Sequence, residues 1–139
     1  LELQKDLHKT IIFITHDLDE ALRIGDNIAI LRDGKIIQKG DPQQIIMKPA
    51  DDYISDFIKD INRGKVIEVK SIMQKGSSKG TSLDSSCSLE DALKVLNNEK
   101  NNECSVIDDK GKKIGKVTLD AAISALFREK ASKNKEKYK

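Results

Sequence analysis

Residues 10–21 read TIIFITHDLDEA, and the fold of the chain turns on them. Four apolar residues, Ile11, Ile12, Phe13 and Ile14, stand between Thr10 and Thr15. A run this short and β-branched, with no polar face, predicts a central strand of a parallel sheet covered on both sides. His16 follows at the carboxyl end of that strand. Asp17 is placed to cap a helix, with Glu20 three residues on in a capping-box pattern. Leu18, Ala21 and Leu22 give the helix one apolar face. Ligands of open α/β sheets bind outside the carboxyl ends of the strands. His16 therefore stands where chemistry is expected, although a lone histidine there is also compatible with a structural or merely exposed role.

Upstream, residues 1–7 read as the end of a helix. Downstream, residues 27–31 form a second strand, and Asp33-Gly34 is a hairpin signal because a type I′ turn needs positive φ at both central positions. Residues 35–39 return as the partner strand. Asp41-Pro42 reads as N-cap and first helical position of a short helix through Met47. Asp51 can cap a further helix to about Ile61, with Tyr53, Ile54, Phe57, Ile58 and Ile61 on one side.

The apolar strand, Thr-His-Asp, Glu-Ala and then Gly25-Asp26-Asn27-Ile28-Ala29-Ile30-Leu31 resemble the switch-histidine region of ATP-binding subunits of ABC transporters. The order GD-x-IAIL-x-DGKIIQKGDPQQI resembles importer subunits, and PADDYISDF resembles the end of the ATPase domain in glycine betaine/proline (quaternary amine) importers. The resemblance covers residues 1–62. It implies that His16 is catalytic, contacting the γ-phosphate of ATP and helping to hold the attacking water. Phosphoryl transfer depends mainly on positioning and charge stabilisation, so one imidazole can matter greatly. No G-x-x-x-x-G-K-[ST] stretch is present, and the family's signature, glutamine-loop and Walker B segments are absent too. The resemblance thus implies ATP and Mg as cofactors of a full-length subunit only, with no metal site in this chain.

The chain has 139 residues, 37% hydrophobic and 35% charged, which describes a soluble globular protein of one ordinary domain or two small pieces. No apolar run approaches the roughly 20 residues that span a bilayer. Residues 1–10 lack both an apolar signal region and an initiating Met, so the chain is expected to begin inside a larger protein. Cys87 and Cys104 have neither metal-ligand nor redox spacing and read as reduced thiols. The basic excess is confined to residues 128–139, with six basic and two acidic side chains. A polyanion argument can concern only that tail, and no nucleic-acid partner is expected.

Residues 62–73 read as a connector with a strand at 66–69, and residues 76–88, rich in Ser and Gly, as a flexible loop. Ser88 is a good N-cap. Leu89, Ala92, Leu93 and Leu96 then follow at helical spacing. Residues 104–107 form a strand, 108–111 a turn, and 113–118 the returning strand. Leu119, Ala122, Ile123 and Leu126 repeat the helical spacing. SVIDDKGKKIGKVTLDAAISAL resembles the second half of a CBS module, a regulatory unit that works in pairs. The resemblance makes Thr118 and Asp120 candidates for an adenine-nucleotide site, although Asp120 stands one position closer to Thr118 than the usual G-x-x-T-x-x-D spacing. Thr118 reads equally as a helix N-cap, and Asp120 as a first-turn acid favoured by the helix dipole.

The expected fold class is α/β: the C-terminal piece of a P-loop-type ABC ATPase domain (residues 1–62), a linker (63–88), a small α+β CBS-like regulatory unit (89–130) and a basic tail (131–139). The resemblance implies an ATPase subunit that couples ATP hydrolysis to uptake of glycine betaine, proline or related osmolytes. Its implied partners are a second ATPase subunit and a membrane permease; the basic tail reads as a solvated terminus, or else as a contact with an anionic membrane surface. Its implied place is the cytoplasmic side of the plasma membrane. The rival reading is a non-catalytic CBS-like module for dimerisation or for sensing nucleotide or ionic strength.

Overall fold

Two successive residues of positive φ, Asp33 (50°) and Gly34 (75°), turn the chain between β1 (Ile28–Arg32) and β2 (Lys35–Gly40). This is the backbone that an Asp-Gly type I′ hairpin requires. The strands pair antiparallel from Ile28 opposite Gly40 to Arg32 opposite Lys35, with a bulge after Ile30 that leaves Ile37 out of register. The computed structural model describes residues 9–127. The helix end expected at residues 1–7 and the basic tail expected at 131–139 lie outside them.

Before the hairpin, α1 (Leu18–Ile24) starts at Asp17, whose carboxylate accepts the Glu20 N–H at 3.2 Å. After it, α2 (Pro42–Met47) carries a complete capping box. Asp41 Oδ1 accepts from Gln44 N at 2.9 Å, and Gln44 Oε1 accepts from Asp41 N at 3.2 Å. Pro42 at the first helical position gives up only an N–H that has no intrahelical partner there. The next helix, α3 (Asp52–Phe57), starts at Asp51, which accepts from Ile54 N at 2.9 Å. It stops short of the expected Ile61, and its apolar side is split: Ile54 and Ile58 are buried, whereas Tyr53 and Phe57 stay exposed.

The strand expected at residues 11–14 is not formed. Residues 9–15 have no regular structure, and Ile12 and Ile14 are 87% and 91% exposed. A central strand exists only by hydrogen bonding to neighbours on both edges, and β-propensity expresses that context more than a backbone preference. Neither sheet of the described residues takes this run as a member. The P-loop ATPase piece of the expected fold is therefore not visible as a parallel sheet.

The second half is built around a three-stranded sheet of order β3-β4-β5. Its elements are α4 (Arg63–Val66), a 3-10 turn (Val69–Ser71), β3 (Ser82–Asp84), α5 (Leu89–Leu96), β4 (Glu103–Ile107), β5 (Lys113–Thr118) and α6 (Leu119–Leu126). β3 runs parallel to β4, with Leu83 opposite Val106, and β5 returns antiparallel, with Val117 opposite Cys104. Together the two halves make a mixed α/β architecture in which β3–β4 is the one parallel pairing among the described residues.

Residues 63–88, expected as a linker, are held to the rest of the structure at several points. Ile67 and Val69 are fully buried, not by a strand at 66–69 but by turns whose backbone is stitched to the sheet side. Leu89 N donates to Ile67 O, Val69 N to Cys87 O and Lys70 N to Ser85 O, at 2.9, 2.9 and 3.1 Å. The serine-rich stretch yields β3 because Leu83 is buried in it and because two buried serines pair. Ser78 N donates to Ser105 Oγ at 2.9 Å, and that hydroxyl donates back to Ser78 O at 3.0 Å. Composition counts serines as loop formers, whereas here one buried hydroxyl does the work of a ladder bond.

One apolar cluster runs through both halves, from Leu18, Leu22, Ile45 and Ile54 to Leu89, Leu96, Val106 and Val117. At its edge Gln74 exchanges two backbone hydrogen bonds with Lys116, at 2.8 and 2.9 Å. Gly115 makes that approach possible, because a Cβ there would stand 2.8 Å from Gln74 O and 3.0 Å from Met73 Sδ. Gly115→Ala should lower the free energy of unfolding by about 1–3 kcal/mol. Urea titration followed by circular dichroism checks this, with Gly111→Ala as a comparison, whose strain is its φ of 78° rather than a clash.

Candidate functional site

His16 lies on the bend between the irregular residues 9–15 and α1, and it is exposed. Its backbone is bracketed by side chains. Thr15 Oγ1 accepts from Asp17 N at 3.0 Å and donates to Glu20 Oε2 at 2.8 Å. Glu20 therefore does not reach back to the Asp17 N–H as a full capping box would; Thr15 serves that N–H instead. The Thr-His-Asp-x-x-Glu pattern thus fixes the main chain around His16 without engaging the imidazole in any hydrogen bond found among the described residues.

Thr118 and Asp120 sit together at the junction of β5 and α6, in the other half. Thr118 is the N-cap of α6, and its Oγ1 accepts from Ala121 N at 3.2 Å. Asp120 is exposed in the first turn, where its charge complements the helix dipole. No hydrogen bond or ion pair among the described residues joins either of them to His16.

An open cleft of about 1000 Å³ lies between the end of α1, the β2–α2 segment and the connector that carries α4 and the 3-10 turn. None of the three expected site residues lines it. Gln43 does, and its amide ties two walls together. Nε2 donates to Val66 O at 2.8 Å, while Oε1 accepts from Glu68 N at 3.0 Å and Ser71 Oγ at 2.9 Å. Arg63 spans the same junction: Nε donates to Ala125 O at 2.8 Å and Nη1 to Ile46 O at 3.1 Å. Sequence reading passes over both residues, because a lone Gln in a six-residue helix and a lone Arg in a connector carry no pattern.

The residues present do not form a cradle for a magnesium triphosphate. No phosphate loop occurs in the sequence, and no group of three or more His, Cys, Asp or Glu among the described residues is placed to hold a metal. No helix among the described residues is long and apolar enough to cross a membrane.

Comparison with known proteins supplies what the geometry leaves open. No family model matches the chain. Over 132 residues it is 40% identical to the trimethylamine N-oxide transport system ATP-binding protein of Pelagibacter ubique, an alignment covering 91% of this chain and 38% of that protein. Over 126 residues it is 36% identical to the glycine betaine/proline betaine transport system ATP-binding protein of Escherichia coli, covering 91% and 32%. Along 91% of its length the chain is thus similar to ATP-binding proteins of transport systems for trimethylamine N-oxide and for glycine betaine/proline betaine. Over 73 residues it is 55% identical to the glycine betaine/carnitine transport ATP-binding protein of Listeria monocytogenes, covering 52% of this chain and 18% of that protein. The chain thus spans less than half the length of each of these relatives. Among solved structures, a CBS-pair protein from Arabidopsis thaliana aligns over 78% of both chains at 21% identity and a TM-score of 0.32, too slight a likeness to bear on function.

The two thiols are structural in their setting. Burial pushes Cys104 up, with Glu99, the neighbouring Cys87 and Glu103 adding to it. Burial does the same to Cys87, helped by Asp91 and Asp84. Thiolate is the reactive form, so both should react slowly with a thiol reagent at neutral pH, and Cys104, which has no exposed surface, should react last. Because the folded thiols ionise at higher pH than the unfolded ones, their stabilisation is complete below the ordinary value of 9.0 and is lost as the pH rises through the raised values. Reaction with an aromatic disulfide reagent, and urea midpoints between pH 8 and 11, check both statements.

Proposed function

We propose that this chain works within an ATP-binding subunit of an ABC importer for glycine betaine, proline or related osmolytes, coupling ATP hydrolysis to uptake. The observation that carries the proposal is the 40% and 36% identity to transport ATP-binding proteins along 91% of the chain, a stretch that takes in both halves. In this reading the first half is the end of the ATPase domain. The loops that hold ATP and Mg belong to the parts of such subunits that this chain does not match. Partners are a second ATPase subunit and a membrane permease, which would keep the subunit on the cytoplasmic face of the membrane. The second half is a CBS-like regulatory unit, and the basic tail is a candidate contact for anionic lipid.

His16 is assigned as the catalytic residue that meets the terminal phosphate. Its exposure and its firmly held main chain suit a group that completes its contacts only when nucleotide and partner subunit are in place. Thr118 and Asp120 remain candidates for a nucleotide site in the CBS-like unit, with the qualification that the Thr118 hydroxyl already serves as a cap. In a longer subunit carrying its phosphate loop, His16→Ala should reduce kcat by at least tenfold while ATP affinity changes little, as expected for a group acting on the transition state. Steady-state turnover beside equilibrium nucleotide binding tests this, and wild-type turnover would remove the assignment. The 139-residue chain by itself should release phosphate from ATP no faster than buffer.

The CBS-like unit leaves Ile114, Ile123 and Phe127 40%, 41% and 70% exposed. A unit of a kind that works in pairs would cover such residues with a copy of itself, in a two-fold contact. Light scattering should find a concentration-dependent dimer that Ile123→Glu weakens, whereas dimerisation indifferent to Ile123→Glu would place the contact elsewhere.

A further inference from the structure

The two halves are fastened in different ways. One apolar cluster joins them, but the densest packing between elements lies within each: β1 and α2 on β2 in the first, β4 on β3 and β5 in the second, with α4 against α5 and α6. The connector belongs to the second half by main-chain bonds, from Leu89 N to Ile67 O, from Val69 N to Cys87 O, and in both directions between Gln74 and Lys116. Toward the first half, its hydrogen bonds run through two side chains. Gln43 on α2 takes Val66, Glu68 and Ser71, and Arg63 on α4 reaches Ile46 O and lies 3.8 Å from Met47 Sδ.

Arg63 also donates to Ala125 O, so its guanidinium faces the carboxyl ends of α2 and α6 at once. The last carbonyls of a helix lack intrahelical donors and carry the negative end of its dipole. A planar cation with several fixed donors satisfies carbonyls from two converging helices, which a lysine ammonium on a flexible stem cannot do in the same geometry. Gln43 adds to it, offering donor and acceptor to the connector as a strand backbone would. We propose that Arg63 and Gln43 form a clasp that fixes the orientation of the second half relative to the half carrying His16. Its use in regulating an ATPase rests on the reading given above; the clasp itself does not.

The test is residual dipolar couplings on the isotopically labelled 139-residue chain, with Arg63→Ala, Arg63→Lys and Gln43→Ala beside the wild type. In the wild type, amides of β1, β2 and α2 should fit one alignment tensor together with those of β4, β5 and α5. In Arg63→Ala each half should still fit a tensor of its own, with chemical shifts retained away from the junction, while the joint fit is lost. Arg63→Lys should lose it as well, because charge without the fork does not bridge two carbonyls, and Gln43→Ala should loosen it in part. A joint fit that survives in both Arg63 variants would overturn the proposal. So would loss of folded signals from both halves in every variant, since a clasp is dispensable to the pieces it joins. No nucleotide enters the experiment. Failure here leaves the transporter reading standing, and an inactive His16 in a longer subunit would leave the clasp standing.

Discussion

None of the α-helices among the described residues is long enough to form by itself. They run from four to eight residues, whereas an isolated helix shorter than about 12–15 residues is marginal in water. Each α-helix among the described residues begins at a side-chain oxygen that takes an N–H of its first turn: Asp17, Asp41, Asp51, Asn62, Ser88 and Thr118. A cap of this kind contributes roughly 0.5–2 kcal/mol relative to alanine, large against what so short a helix gains from its own propensity. The remainder comes from burying one face, through Leu22, Ile45, Ile54, Leu89 and Ala122.

This dependence explains which parts of the fold could be read from the chain. A cap acts three residues ahead of itself, and an Asp-Gly turn acts on its own two residues, so both are written locally. Asp17, Asp41, Asp51, Ser88 and Thr118 announce helices where helices stand, and Asp33-Gly34 announces the hairpin. The failures are the elements whose partners lie far off. Residues 11–14 have the composition of a central strand but no neighbouring strand among the described residues. The serine-rich stretch before α5 looks like loop, yet Ser78 is matched by Ser105 at a sequence distance that local pattern cannot span. The candidate site divides along the same line: the main-chain setting of His16 follows from Thr15, Asp17 and Glu20, while the imidazole's partners do not appear in it.

Helix ends show the complementary case. The amino ends are closed from nearby in sequence, but the carboxyl ends of α2 and α6 meet a residue from elsewhere, Arg63. That asymmetry is why the junction carries no local sequence pattern. It also locates the structural interest of the chain away from both expected sites, in the space where α1, α2 and the connector face one another. Gln43 lines that space and bridges its walls.

The occupied hydroxyl of Thr118 bears on what the second half can do. A nucleotide that accepted or donated at Thr118 Oγ1 would have to share that oxygen with the Ala121 N–H, or take it away. Sharing is chemically open, because a hydroxyl keeps a donor hydrogen and a second lone pair after accepting one bond. Taking it away would leave the first turn of α6 uncapped, and the other end of α6 is where Arg63 holds Ala125 O. Ligand binding at Thr118 and the clasp at Arg63 are thus opposite ends of one eight-residue helix. A change at the Thr118 end of this helix would therefore be separated from the Ala125 carbonyl that Arg63 holds by no more than the length of α6.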